Sequence, residues 1–275
     1  MSAPSKKIVI VTGGASGIGL AMTRHFACQG HDIAVLDVNE IQGPSIVSEI
    51  ANQYPESELL FEKCDVSSWQ DQAAVFKKIF GHYGRIDIVM ANAGISERGR
   101  SDVTVLDEEE PSQPRLATIS VNFLGVLNTV KLAAHYMNKK PSSPDVSRGL
   151  IICTASNAGL YPFPIAPVYA ATKAAVIGLV RSLARPYAEA NIQINALAPA
   201  VLETNIAPDR ALFKDMIVTP FPTLTRGVDQ FVDDSALTGA IAEIHGASVT
   251  IRPSLDVVDE DSAANLEVFW NLGYA

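Results

Sequence analysis

Tyr169 and Lys173 stand four residues apart in a stretch of helical periodicity, which places a phenol and an ammonium on one helix face. A phenol with an ordinary pKa of about 10 is a poor base at neutral pH. A neighbouring ammonium favours the phenolate, so the pair predicts a general acid/base at a hydroxyl or carbonyl oxygen. Ser156 comes earlier, just past a short apolar run, where its hydroxyl could bond a substrate oxygen. Asn122 lies in Val121-Asn122-Phe123-Leu124-Gly125, inside a long helical pattern where an amide is a mediocre helix former. Each residue also has a plainer role. Tyr-x-x-x-Lys is common on helix surfaces, Ser156 could cap a turn, and Asn122 could face solvent.

A second group of residues points to a dinucleotide. The apolar run Ile8-Val9-Ile10-Val11 leads into Thr12-Gly13-Gly14-Ala15-Ser16-Gly17-Ile18-Gly19. Glycines there permit a tight turn and let backbone N–H groups of Gly13, Ser16, Gly17, Ile18 and Gly19 approach a pyrophosphate at a helix N-terminus. Asp37 ends the next apolar run, where a carboxylate can bond adenosine ribose hydroxyls and repel a 2′-phosphate. Val38 follows it, and neither Ala15 nor Ser16 supplies a cation, so NAD is favoured over NADP. Asp65 and Val66 follow a third run, where an adenine amino group could be met. Asn92-Ala93-Gly94 follow a fourth, where small residues leave room and Asn92 can hold a turn.

These residues need a scaffold that sends strand after strand to one edge. Short apolar runs predict strands over Lys7–Val11, Ile33–Leu36, Leu59–Lys63, Ile86–Met90, Gly149–Cys153, Ile192–Ala196 and Ser248–Ile251. Between them, helical patterns run from the glycine turn to about Gln29, from Ile41 to Tyr54, Asp71 to Phe80, Leu116 to Met137, and Tyr169 to Ala190. The alternation implies right-handed βαβ units. It gives an α/β fold with a single doubly wound, parallel, seven-stranded sheet, Rossmann-like, with helices on both faces. The candidate dinucleotide residues then all follow strand C-terminal ends. Two stretches break the pattern. Residues 96–114 are polar and acidic and read as a solvated loop. The proline-bearing segment of about 200–226 reads as a lid.

At 275 residues the chain suits one large domain, 1–275, and its 48% hydrophobic against 19% charged residues predict a folded core. A net charge of −9 without a basic stripe argues against nucleic acid and anionic membrane as partners. Cys28, Cys64 and Cys153 have no C-x-x-C spacing, which predicts free thiols in a reducing compartment and no metal site. Met1–Lys7 is short and polar, unlike a secretory leader. No uninterrupted apolar run approaches the roughly 18 residues of a spanning helix. A cytoplasmic protein is the expectation.

Taken together, Thr12-Gly13-x-x-x-Gly17-Ile18-Gly19, Asp65-Val66, Asn92-Ala93-Gly94, Asn122, Ser156 and Tyr169-x-x-x-Lys173 resemble the short-chain dehydrogenase/reductase family in order and spacing, over Thr12 to Thr204. Within it the chain is similar to the NAD-dependent, 15-hydroxyprostaglandin dehydrogenase-like enzymes, including fungal secondary-metabolism members. The resemblance implies that Tyr169 is the acid/base. Lys173 would bind the nicotinamide ribose and lower the Tyr169 pKa, and Ser156 would orient the substrate oxygen. Asn122 would hold a water in a proton relay. Asp37 and Asp65 would bind adenosine, and Thr204 would meet the carboxamide with backbone help from Val201. One departure stands out. The family has Pro-Gly after the sixth strand and this chain has Pro199-Ala200, which questions the nicotinamide geometry.

The reaction so implied is hydride transfer between NAD(H) and a secondary alcohol or ketone. Tyr161, Phe163, Phe213 and Phe221 near the expected opening suggest a moderately large, apolar substrate, though these rings could equally pack the lid. The resemblance also implies a homodimer or homotetramer built on the two long helices. An NADPH-dependent ketone reductase, a nucleotide-sugar epimerase and a non-catalytic NAD(P)-binding sensor remain alternatives.

Overall fold

The computed structural model describes residues 6–97, 99–106, 109–141, 147–206 and 210–273. Among the described residues eight strands form one sheet: β1 (Ile8–Thr12), β2 (Asp32–Asp37), β3 (Leu59–Lys63), β4 (Ile88–Ala91), β5 (Gly149–Thr154), β6 (Ile192–Pro199), β7 (Ile241–His245) and β8 (Ser248–Arg252). Their order is β3-β2-β1-β4-β5-β6-β7-β8. The first seven are parallel, as the alternation predicts, and β8 is antiparallel to β7. The direction of winding reverses between β1 and β4, which opens a crevice at their C-terminal ends.

The seventh parallel strand is not the run predicted at Ser248–Ile251. That run lies in β8, returning from β7 through Gly246 and Ala247. Gly246 takes a φ of +50°, a conformation suited to the first position of a two-residue hairpin. Glu243 and His245 interrupt the apolar run of β7, which hides it from a reading by hydrophobicity.

Alternate residues of each central strand face opposite layers. Ile10, Val89, Ile151 and Ile194 meet α3 (Trp69–Tyr83), α5 (Gly125–Met137) and α6 (Pro167–Glu189) through Phe76, Val130 and Val176. Val9, Val11, Met90 and Ile152 meet α1 (Gly17–Cys28), α2 (Gly43–Gln53) and α7 (Phe221–Asp233) through Phe26, Ile50 and Phe231. Phe26, Phe76 and Phe231 are fully buried, and truncating any of them to Ala should cost about 3–5 kcal/mol. The end of the expected lid, 221–226, is thus the first turn of α7, with Thr223 and Leu224 packed inward and Pro222 at a position that tolerates proline.

The long helix before β5 is one continuous run with a defect. α4 (Ala117–Ile119) passes through a π turn, Ser120–Leu124, into α5. By length and composition Ala117–Met137 could cross a membrane, contrary to the expectation from uninterrupted runs. Its Val126, Val130, Ala133 and Met137 lie in the core of the sheet layer. The final helix, α8 (Glu260–Leu272), buries no residue and is held by Arg185, which pairs with Glu267 at 2.7 Å and lies 4.4 Å over the Trp270 ring.

Candidate active site

The glycine turn is packed as tightly as its sequence suggests. A Cβ on Gly19 would sit 2.1 Å from the Gly13 carbonyl oxygen, and one on Gly13, whose φ is +64°, 2.9 Å from Ala93 Cα. Ser16 is extended and its side chain does not cap α1, and among the described residues no side chain is bonded to the first amides of that helix. Ile18 is the second residue of that helix. Thr12 knits the turn to β4: its Oγ1 donates to the Met90 carbonyl at 3.2 Å and accepts from Asn92 and Ala93 N–H at 2.9 and 3.1 Å. Asn92 is a rivet as well. Its Nδ2 donates to the Thr12 carbonyl and its Oδ1 accepts from Thr154 Oγ1, both at 3.0 Å, joining β1, β4 and β5.

Asp37 reaches the same turn. Its Oδ2 accepts from Ala15 N–H and its Oδ1 from Asn39 N–H, each at 3.0 Å. Asp65 is exposed at the end of β3, its Oδ1 accepting from Ser67 N–H and Oγ at 2.9 and 2.7 Å. Beneath it Val66 is buried, and its carbonyl accepts from Gln72 Nε2 at 2.6 Å. On the other side, Thr204 approaches Gly17, whose absent Cβ would lie 3.3 Å from Thr204 Cβ. The Val201 carbonyl is taken by Thr219 N–H at 2.7 Å, and the Ala200 N–H bonds Ile244 at 2.8 Å. Among the described residues Asn191 is the only non-glycine residue with positive φ, so Ala200 fits its place without the strain that Pro199-Ala200 raised. Residues 207–209 of the expected lid lie outside the described residues.

The chemical residues converge at the ends of β4 and β5. The Ser156 Oγ accepts from Ala158 N–H at 3.2 Å and lies beside the Tyr169 phenol. Burial holds that phenol above its ordinary pKa, and the neighbouring Ser156 hydroxyl works against the rise. Lys173 is buried; its Nζ donates to the Thr154 carbonyl at 2.8 Å and lies 5.6 Å from the Tyr169 ring centroid. Burial pushes its ammonium down to about 8.

Asn122 sits in the π turn and is fully buried. Its Oδ1 accepts from Ile95 N–H and its Nδ2 donates to the Ile95 carbonyl, both at 2.8 Å, with Thr172 Oγ1 at 3.3 Å. The amide clamps the strand-end loop from both sides. Gly94 lies in that loop, and a Cβ on it would be 3.3 Å from Asn122 Oδ1 and 3.4 Å from Lys173 Nζ. A π turn at a functional position is a frequent device for turning one side chain out of helical register.

Of the four expected aromatic residues, Phe163 is brought to the site, its ring 6.4 Å from that of Tyr169. The Tyr161 hydroxyl instead donates to Glu243 on β7 at 3.0 Å. Phe221 packs against the α7 layer of the core, and Phe213 lies in a short turn, Arg210–Phe213. The loop read as solvated is pinned in part: Ser101 is buried and bonds Glu97, and Asp102 pairs with Arg115 at 2.8 Å. Residues 98, 107 and 108 of that loop lie outside the described residues.

A glycine cradle and a phenol set beside a serine and a buried lysine, gathered at strand C-terminal ends next to the reversal of strand order, are the arrangement of an enzyme that holds a dinucleotide across the sheet and reacts it with a second molecule. The chain belongs to the short-chain dehydrogenase family, whose model, described as short chain dehydrogenase, matches residues 7–214. It is 38% identical over 96% of its length to the short-chain dehydrogenase/reductase prx4 of Penicillium rubens, spanning 72% of that protein. It is 29% identical over 86% of its length to human 15-hydroxyprostaglandin dehydrogenase [NAD(+)], spanning 90% of that protein. Among solved structures, a short-chain type dehydrogenase/reductase from Mycobacterium marinum superposes with a TM-score of 0.75 at 27% identity, covering 88% of this chain and 95% of that one. The protein is an NAD(P)-dependent oxidoreductase acting on CH–OH or C=O groups of a small molecule.

Proposed function

We propose that the protein uses NAD(H) and acts on a moderately large, apolar secondary alcohol or its ketone. The observation that carries this reading is the Tyr169 phenol beside Ser156, with the buried Lys173 Nζ 5.6 Å and the Phe163 ring 6.4 Å from its ring.

The residues fit the cofactor. Space that a Cβ would fill is kept open at Gly17 and Gly94, and the amides opening α1 have no side-chain cap. Gly13 to Gly19 would hold the pyrophosphate. Asp37 would hold the adenosine ribose, with Asp65 and Val66 at the adenine. Asn92, Ala93 and Gly94 would line the middle, Tyr169 and Lys173 would meet the nicotinamide ribose, and Val201 and Thr204 the carboxamide. Asp37 carries the preference for NAD, because a 2′-phosphate would meet its carboxylate, and Lys63, its partner across the sheet, is already paired with Glu40 at 2.9 Å. When bound, the nicotinamide supplies the hydride acceptor for oxidation or the donor for reduction.

In the oxidising direction the Tyr169 Oη takes the alcohol proton while Ser156 Oγ donates to the same substrate oxygen. Lys173, its ammonium 5.6 Å from the Tyr169 ring centroid, would favour the phenolate and be the residue to hold the ribose. In reduction Tyr169 returns the proton. Phe163 packs against the substrate beside the reacting carbon. Replacing Phe163 and Phe213 with Ala should reorder substrate preference, and an unchanged order would remove their lining role.

The same reading includes assembly of two or four copies. Val103, Ile119, Phe123, Val168, Ala171 and Ala175 line an apolar groove of about 360 Å³ on the outer face of α4 and α6. Light scattering on the purified protein tests it, and a monomer would exclude it. A cytoplasmic location belongs to the proposal too, and cell fractionation tests it.

The cofactor reading is tested by thermal unfolding with saturating NAD⁺, NADH, NADP⁺ and NADPH. A ligand at 100 times its Kd stabilises by about 2.7 kcal/mol. Stabilisation by NAD(H) alone is expected. Stabilisation by NADP(H) alone would overturn the preference and favour a ketone reductase, and no response to any of the four would remove the enzymatic reading.

A further inference from the structure

The helix that carries the catalytic pair begins without a cap of its own. Its N-cap residue is Ala166, which has no side-chain acceptor, and Pro167 follows with no N–H to offer. The first bond from within the helix is Ala170 N–H to the Ala166 carbonyl at 3.0 Å. Tyr169 N–H, one of the orphan donors of this first turn, is bonded by Glu97 Oε2 at 2.9 Å, from a loop 72 residues away in sequence. The other carboxylate oxygen, Glu97 Oε1, accepts from the Ser101 hydroxyl, and Ser101 is buried. A carboxylate at a helix N-terminus is also favoured by the helix dipole.

We propose that Glu97 is a positioning residue for catalysis: by capping α6 at the Tyr169 amide, it fixes the first turn so that the phenol meets Ser156. This rests on the reading of Tyr169 as the acid/base. Glu97 touches neither substrate nor the phenol oxygen, and it acts through the backbone of the residue that does. Among the described residues the charged groups around this turn are Glu97 itself, Arg115, on which the Glu97 charge acts, and Lys173 on the next turn of α6. Residues of a solvated loop carry no such function by type, which is why the sequence alone does not single Glu97 out.

The test reads Tyr169 directly in the cofactor-free protein. Tyrosinate absorbance is titrated in the wild type and in Tyr169→Phe, and the difference is the Tyr169 phenol. The Ser156 hydroxyl lowers that pKa, so a first turn that drifts from Ser156 titrates at higher pH. Glu97→Ala should move the titration upward, in the direction of Ser156→Ala, and the two changes together should add little to either alone. Glu97→Gln should restore the wild-type curve, since its amide oxygen can accept from Tyr169 N–H while its NH2 donates to Ser101 Oγ. Amide hydrogen exchange over 166–173 should quicken in Glu97→Ala and not in Glu97→Gln. If Glu97→Ala fails to fold, Ser101→Ala, which loosens the carboxylate, should give a smaller upward shift. An unmoved titration in the folded variant overturns the proposal, as does a Gln variant that behaves like Ala. A wild type with no titration lost in Tyr169→Phe would remove the acid/base reading instead, and exchange at Tyr169 would still decide whether Glu97 is the cap.

Discussion

Lys173 Nζ donates to the carbonyl oxygen of Thr154 at 2.8 Å, and the hydroxyl of the same threonine donates to Asn92 at 3.0 Å. The end of β5 therefore joins the two halves of the site. Its backbone holds the ammonium of the chemical end, and its side chain holds the rivet that closes the dinucleotide end against Thr12. A shift of β5 is felt at both, which is how a sheet of parallel strands delivers one geometry to residues far apart in sequence.

The burial of Lys173 makes a prediction about stability and pH. Its ammonium titrates at about 8 in the folded protein and at an ordinary 10.5 when exposed. Between those values the unfolded chain binds more protons, so stability rises with pH through that window. Below about 8 the buried charge costs on the order of 3 kcal/mol in the cofactor-free protein. Lys173→Met should therefore unfold at a higher temperature than the wild type at pH 7, and the gap should close as pH rises toward 10. A gap that does not change with pH would show that Lys173 is solvated.

Tyr169→Phe keeps the ring beside Phe163 and removes the proton carrier. Turnover should fall by about 10²–10⁴-fold, the usual worth of a positioned acid/base. NADH affinity, measured by nucleotide fluorescence, should stay within a few-fold of the wild type. Undiminished turnover would place the acid/base elsewhere.

Asp37→Ala removes the carboxylate that Ala15 and Asn39 amides orient toward the crevice. Charge-assisted bonds of this kind are worth about 1.5–3 kcal/mol, so NADH affinity should fall by roughly 10- to 100-fold. NADPH should lose much less and gain relative to NADH. Equal losses for both nucleotides would show that Asp37 only shapes the turn.

The residues proposed to touch ligands are far more legible than those that hold them. The glycine turn, Asp37, Ser156, Tyr169 and Lys173 announce themselves by type and spacing, and the parallel strands by short apolar runs. Asn92 was legible as a turn former, yet its work in riveting three strands depends on neighbours that only the sheet brings together. Glu97 and Gln72 carried no signal, because a carboxylate in a polar loop and an amide on a helix look solvated until their partners are known. Gln72 is in fact fully buried, bonding the Val66 and Gly125 carbonyls and the Thr129 hydroxyl. The π turn was invisible for a related reason: an α pattern with one extra residue changes which side chains face inward without changing composition.

Asn122 is where that extra residue matters most. Its amide is matched to Ile95 in both directions, one acceptor to the N–H and one donor to the carbonyl. Asn122→Ala loses both bonds and the contact with Thr172, and each polar group left without a partner costs about 1–3 kcal/mol. We expect a fall of about 2–4 kcal/mol in stability and weaker NADH binding, because Gly94 and its neighbours are then held by Thr12 and Asn92 alone. Asn122→Asp separates the two bonds. A carboxylate still accepts from Ile95 N–H, but it faces the Ile95 carbonyl with no proton to give, and it is buried. Its pKa in the folded protein should lie above that of an exposed aspartate. The folded state then holds the extra proton, so this variant should lose stability as pH rises from the ordinary aspartate range toward neutrality, while the wild type does not. Protonated, it restores the donor and should approach the wild type. An Asp variant equally stable at both ends of that range would mean that the donor to Ile95 is not what Asn122 contributes.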